Sequence, residues 1–128
     1  TMQPRIPQLD RYRDVAILTD EMTQSTAELT AAVFKHFNRA TVIGTTTRGW
    51  GTVENTYPLK TRLDDTTEYA LLLVHSITLR DDNQPIETRG VDPDIRTSDP
   101  EWRKQLSERF RSTSLIQAIR EVIARPLK

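Results

Sequence analysis

Val15-Ala16-Ile17-Leu18-Thr19-Asp20-Glu21-Met22-Thr23-Gln24-Ser25-Thr26-Ala27-Glu28 changes its periodicity part-way along. Val15 to Leu18 is a short β-prone apolar run, Thr19-Asp20-Glu21 is polar, and from Ser25 to Phe37 the apolar residues recur at helical spacing. Ala27, Ala31 and Phe34, with Leu29, Val33 and Phe37, predict the buried stripe of that helix. Strand, tight turn and helix therefore follow one another. Ser25 stands at the helix start, where unpaired N–H groups and the positive end of the helix dipole favour an anion. A tetrahedral oxyanion suits that place, with the N–H of Thr26, the residue after the serine, as its donor. The same residues also meet a plain structural need: Thr23 or Ser25 offers a capping hydroxyl, and Glu28 completes a capping box with Ser25. On the residues alone, cap and nucleophile both stand.

Downstream, Asn38-Arg39 closes the helix, and Thr41-Val42-Ile43 reads as a second buried strand. It feeds Gly44-Thr45-Thr46-Thr47-Arg48-Gly49-Trp50-Gly51, a loop holding three of the chain's four glycines, which predicts unusual backbone geometry. Two β-prone stretches, 52–59 and 68–79, flank a polar connection and predict a hairpin. Asp81-Asp82-Asn83 marks a turn, and Gly90-Val91-Asp92-Pro93-Asp94-Ile95 leads to Ser98-Asp99-Pro100-Glu101, a helix start. Helices are expected over 101–111 and 114–124, the second burying Leu115, Ile116, Ile119, Val122 and Ile123. Upstream, residues 1–13 read as an extended lead-in, leaving 14–128 as one α/β layered domain.

Composition narrows the function classes. The 128 residues are 36% apolar and 28% charged, well away from disordered composition. Eighteen basic residues balance eighteen acidic ones without a basic stripe, so nucleic acid is not an expected partner, and a polypeptide substrate or peptide ligand is. The absence of cysteine excludes disulfides and thiolate chemistry. The longest apolar run, Ala70 to Val74, is too short for a membrane span. Two distant histidines give no metal site, the glycine loop lacks the G-K-[ST] ending of a phosphate loop, and no cofactor is expected. Nothing in the residues sets an oligomeric state.

Four landmarks carry a resemblance to the C-terminal processing (tail-specific) serine proteases. The opening stretch is similar to their apolar strand, polar turn and T-x-S-x-x-E, with Ser25 at the nucleophile position. Arg39-Ala40-Thr41-Val42-Ile43-Gly44 is similar to their next strand, Thr47-x-Gly49-x-Gly51 to their T-x-G-x-G loop, and Gly90 to Ile95 to their G-[IV]-x-P-D-[IV] ending. The resemblance covers about residues 14 to 96. It implies a ClpP/crotonase-like ββα-superhelix catalytic core, present in part, with a mixed sheet flanked by helices. It also implies a location in the cell envelope or periplasm, as for many bacterial relatives.

The chain departs from the Ser/Lys branch of that family, whose loop reads T-x-G-K-G with a glutamine four residues on; here those positions hold Trp50 and Glu54. Indole nitrogen is only a donor and takes no proton from Ser25. Arg48 stays protonated and Lys60 lies beyond the loop, so neither substitutes. A tricorn-like Ser/His/Glu system is the closer resemblance. It implies a histidine from an upstream segment not found in this chain, with Asp81 or Asp82 as the acid that orients it. His36 falls about 16 Å along the helix from Ser25, and His75 reads as a packed or solvent-facing strand residue. Gly49, Trp50 and Gly51 are the expected substrate-binding residues. Three readings follow: a serine endopeptidase domain, a catalytically inactive binding module on the same scaffold, as the interphotoreceptor retinoid-binding repeats resemble, and an assembly domain that takes a peptide at a strand edge.

Overall fold

The computed structural model describes residues 12–60 and 66–125. The lead-in therefore lies almost wholly outside the described residues, as does most of the connection expected at 60–67.

Three short strands form a parallel sheet in the order β1 (Ala16–Thr19), β2 (Thr41–Gly44), β5 (Ile95–Arg96). β1 pairs with β2 from Ala16 opposite Thr41 to Thr19 opposite Gly44, and β2 pairs with β5 at Ile43–Ile95 and Gly44–Arg96. Between β1 and β2 runs α1 (Thr26–His36), the crossover that parallel pairing requires. Every residue of β2 is buried, as expected of a strand covered on both faces. On one face Val42 packs in a cluster with Ala31 and Ala32 of α1, Ile86 and Val91. On the other, Ile43 and Ile95 meet Trp102, Leu106 and Phe110 from α2 (Trp102–Arg109) and its end, and Ile116 and Ile119 from α3 (Thr113–Ala124).

Local chemistry sets the helix ends. α1 stops in a Schellman turn: Asn38 takes the left-handed conformation at φ 49°, its N–H donates to Lys35 O at 2.9 Å, and Arg39 N–H reaches Phe34 O at 2.8 Å. α3 begins at the Ser112 hydroxyl, which accepts the N–H of Leu115 at 3.2 Å.

The stripe expected for α1 is corrected. The buried residues are Glu28, Ala31 and Ala32, whereas Val33 and Phe34 are exposed and Phe37 is 64% exposed. Two alanines let the helix approach β2 closely, and Glu28 turns inward because it finds donors there, so the bulky side chains rotate outward. In α3, Ile116 and Ile119 are buried, Leu115 and Ile123 pack partly against the core, and Val122 is exposed.

β3 (Thr52–Pro58) and β4 (Ala70–Ile77) form an antiparallel hairpin with a bulge between Val53 and Glu54. The expected mixed sheet is thus two separate sheets, one parallel and one antiparallel. All eight residues of β4 are exposed, Leu72 at 67%. At the hairpin root, the Thr78 N–H and hydroxyl donate to Gly51 O at 2.8 and 2.9 Å, and Ile86 N–H donates to Thr78 O at 3.0 Å.

Candidate active site

The turn between β1 and α1 is held from both ends. Asp20 Oδ1 accepts the N–H groups of Met22 and Thr23 at 3.0 and 2.9 Å and the Thr23 hydroxyl at 3.0 Å, the self-bonding that makes Asp a turn former. Thr23 O then accepts Arg48 N–H at 2.9 Å, which ties the turn to the glycine loop. Chain direction reverses at Ser25, whose backbone sits at φ 57°, ψ −127°. For a residue with a Cβ this is a strained conformation, worth on the order of 1–3 kcal/mol, held only because its surroundings impose it. Ser25 is exposed, and the N–H of Thr26, at the head of α1, has no partner among the described residues.

Glu28 supplies the restraint. Fully buried, its carboxylate accepts four hydrogen bonds: Ser25 N–H at 2.9 Å, the Thr47 hydroxyl at 2.5 Å, Gly49 N–H at 2.6 Å and Trp50 N–H at 2.8 Å. Ser25 and Trp50 share the same oxygen, Oε2, so their nitrogens lie less than 6 Å apart. Thr47 Oγ1 in turn accepts Val91 N–H at 2.8 Å. The serine turn, the glycine loop and the Gly90–Ile95 segment therefore converge on one carboxylate. A buried carboxylate is tolerable only when so satisfied.

The glycine loop has the unusual geometry its composition predicts. Gly44 is at φ 140°, and a Cβ there would collide with Thr19 O; Gly49 is at φ 84° against the backbone of Thr88 to Gly90. Thr88 itself is at φ 65°, a rare state for a β-branched residue, and its N–H donates to Gly49 O at 2.8 Å. Gly51 N–H donates to Glu87 Oε2 at 2.7 Å. The N–H groups of Gly49, Trp50 and Gly51 are thus all bonded inside the protein, and the exposed side chains of this loop are those of Arg48 and Trp50, the latter 41% exposed. The indole N–H donates to Thr52 Oγ1 at 2.9 Å and Glu54 Oε1 at 3.2 Å.

The histidines and acids singled out in the sequence are not gathered at Ser25. His36 Nδ1 lies 3.3 Å from Asp81 O, on the last turn of α1, about 16 Å from Ser25. His75 Nδ1 is 2.6 Å from Ser76 Oγ on the exposed hairpin. Asp82 pairs with Arg80 at 2.7 Å, and Asp81 lies 4.0 Å from Lys35. Asp81 and Asp82 therefore sit by the far end of α1. Glu87 brings a second carboxylate to the loop beside that of Glu28, and sequence reading passed over it. It also gave Glu28 only a capping role; an acid three positions after Ser25, on the helix face next to Ala31 and Ala32, was the available signal.

A cleft of about 240 Å³ lined by Thr19, Asp20, Thr23, Gly44, Thr45 and Val122 adjoins the turn leading to Ser25. A larger one, about 430 Å³ and lined by Lys35, Asn38, Thr41, Asp94 and Arg109, opens at the opposite end of β2. Among the described residues no group of His, Asp and Glu forms a metal site, and no helix is long and apolar enough to cross a membrane.

Residues 4–97 match the profile of peptidase family S41. The chain is similar to the crystal structure of mature CPAF, with 28% identity and a TM-score of 0.53 over 65% of this chain and 15% of that one. It is also similar to the photosystem II D1 C-terminal processing protease, with 26% identity and a TM-score of 0.52 over 67% of this chain and 20% of that one. Mature CPAF complexed with lactacystin shares the fold, with 24% identity and a TM-score of 0.53 over 86% of this chain and 20% of that one. The chain thus spans a fifth or less of the length of these structures. A comparison with curated proteins gives no match. On the match over residues 4–97, the chain belongs to peptidase family S41, the C-terminal processing serine proteases, and carries part of their α/β catalytic core.

Proposed function

We propose that Ser25 is the nucleophile of a serine endopeptidase, and the observation that carries this is its strained, exposed backbone at the head of α1 beside an unpartnered Thr26 N–H. Strain of this kind persists where a geometry is needed, and this one presents the hydroxyl on the outside of a sharp strand-to-helix turn. Ser25 Oγ attacks the scissile carbonyl carbon; the resulting oxyanion accepts a hydrogen bond from Thr26 N–H and is favoured by the helix dipole. One such donor is worth on the order of 10²–10³ in rate. The hydroxyl proton passes to a base, which later returns it to the leaving amine as the acyl-enzyme forms, and water then releases the acyl group. Trp50 accepts no proton, and His36 and His75 are bonded elsewhere; the base in this reading is a histidine outside this chain, as the tricorn-like resemblance implies. Of the acids, Glu87 is bonded to the glycine loop through Gly51 N–H, whereas Asp81 and Asp82 sit by the far end of α1.

Trp50, standing where the Ser/Lys branch holds its lysine, supports a second reading, an inactive peptide-binding module on the same scaffold. Labelling of the longer parent protein with a fluorophosphonate separates the two. Expected is modification of Ser25 that disappears in Ser25→Ala. A folded parent that binds peptide yet stays unlabelled would leave only the binding module.

A further inference from the structure

We infer that the Trp50 indole is a specificity wall that takes an uncharged apolar side chain of a polypeptide bound beside Ser25, and that Glu54 is the positioning residue that holds it there. Trp50 is placed by its backbone, whose N–H shares Glu28 Oε2 with Ser25 N–H at 2.8 and 2.9 Å. Its side chain is then fixed by a closed triangle: the indole N–H donates to Thr52 Oγ1 at 2.9 Å and Glu54 Oε1 at 3.2 Å, and the Thr52 hydroxyl donates to the same Glu54 oxygen. An exposed side chain with two free torsions would otherwise sample several rotamers. Here three polar groups set one.

The ligand class follows from what the indole has left to offer. Its single donor is consumed, so the exposed ring recognises only by apolar contact. The Arg48 guanidinium lies 5.9 Å from the ring centroid, a cation–π contact that disfavours a second cation on the ring. The Glu54 carboxylate at the ring edge repels an acidic side chain. Directly across the ladder from Glu54 is Val74, followed on the same face by Leu72, both exposed, so an extended peptide passing the ring continues onto apolar surface.

Hydrogen bonds from Thr52 and then Trp50 hold the Glu54 carboxyl below its ordinary value of 4.5, and the nearby His75 charge lowers it further. The ionised form that grips the indole is present above that lowered value and is lost as pH falls through it.

The assignment rests on substrate lying beside Ser25, but its readout needs no Ser25 chemistry. The full chain labelled with 5-fluorotryptophan has two ¹⁹F resonances, from Trp50 and the buried Trp102, assigned with Trp50→Phe; Trp102 reports whether each variant is folded. Acetylated tetrapeptide amides carrying leucine, aspartate or lysine at one position are the probes. Expected is that the leucine peptide shifts the Trp50 resonance, equally in Ser25→Ala. Glu54→Ala should weaken its binding about tenfold, and Thr52→Val likewise, while Glu54→Gln, which keeps an acceptor, changes it less than about threefold at pH 7. Without peptide, the Trp50 resonance should move on acidification below pH 4.5, and this step should be missing in Glu54→Gln. His75 beside the carboxylate and Arg48 over the ring are the neighbouring charged or ionisable groups, so the acid series is repeated in His75→Gln and Arg48→Gln as controls. The inference is overturned if no peptide shifts Trp50, if aspartate or lysine peptides bind as well as leucine, if Glu54→Ala binds like the parent sequence, or if the acid step survives Glu54→Gln.

Discussion

Ser25 and Glu28 divide the work of the site between an exposed strained residue and a buried satisfied one. Glu28 draws three backbone N–H groups and a hydroxyl onto one carboxylate, and through Ser25 N–H it holds a backbone conformation that serine does not choose. Glycine adopts φ > 0 without steric cost. Ser25→Gly is therefore expected to be more stable than Ser25→Ala by about 1 kcal/mol, a comparison in which the hydroxyl is absent from both, read from urea midpoints. Equal midpoints would mean that the turn stores no strain. Trp50 shows the same division at close range: its backbone belongs to the Glu28 network and its side chain to the hairpin.

At the scale of elements, burial separates the parallel layer from the hairpin. Ile43 of β2, Trp102 and Leu106 of α2 and Ile116 and Ile119 of α3 are buried in one cluster in which Ile43 and Leu106 are wholly inaccessible, while β4 leaves all of its residues in solvent. Leu106→Ala removes atoms from a packed interior and should cost about 3 kcal/mol. Leu72→Ala, by contrast, removes a side chain that is already wet and should change stability by less than about 0.5 kcal/mol, despite lying in the most apolar run of the sequence. Chemical denaturation of both variants checks the pair. Hydropathy alone ranks these two leucines in the wrong order, because a continuous apolar strand is the pattern of a fully covered one and β4 is not covered here.

Across the whole molecule, Asp92 links the parts. Its carboxylate accepts from the Thr46 hydroxyl at 2.9 Å, pairs with Arg96 at 2.6 Å in β5 and with Arg80 at 3.4 Å after the hairpin, and its carbonyl takes Lys35 Nζ of α1 at 2.8 Å. Burial pushes the Asp92 carboxyl up, but the bonds from Thr46 and Arg96 and the charges of Arg96 and Arg80 outweigh it and hold the group below its ordinary 3.8. A carboxyl lowered in the folded state adds stability above its unfolded value and loses it as pH falls through the folded one. Urea midpoints measured from pH 5 to pH 2 should therefore fall more steeply for the parent chain than for Asp92→Asn. Parallel curves would remove Asp92 from the acid response.

The order of elements was legible in the residues: the change from strand to helix at Ser25, the glycine loop, the hairpin and the closing helices each rest on spacing and turn chemistry among near neighbours, which the chain encodes locally. The position of Ser25 at a helix start was legible for the same reason. Its backbone strain was not, because that depends on Glu28 meeting Thr47, Gly49 and Trp50, some twenty residues away along the chain. Nor was the buried face of α1, where Phe34 and Phe37 outrank Ala31 and Ala32 in hydrophobicity but not in how closely they allow the helix to approach β2. Sequence by itself determined which residues are available to the site and in what local geometry. Only the tertiary structure decided which of them meet, since long-range hydrogen bonds and close packing are settled by the shape of the assembled layers and not by periodicity.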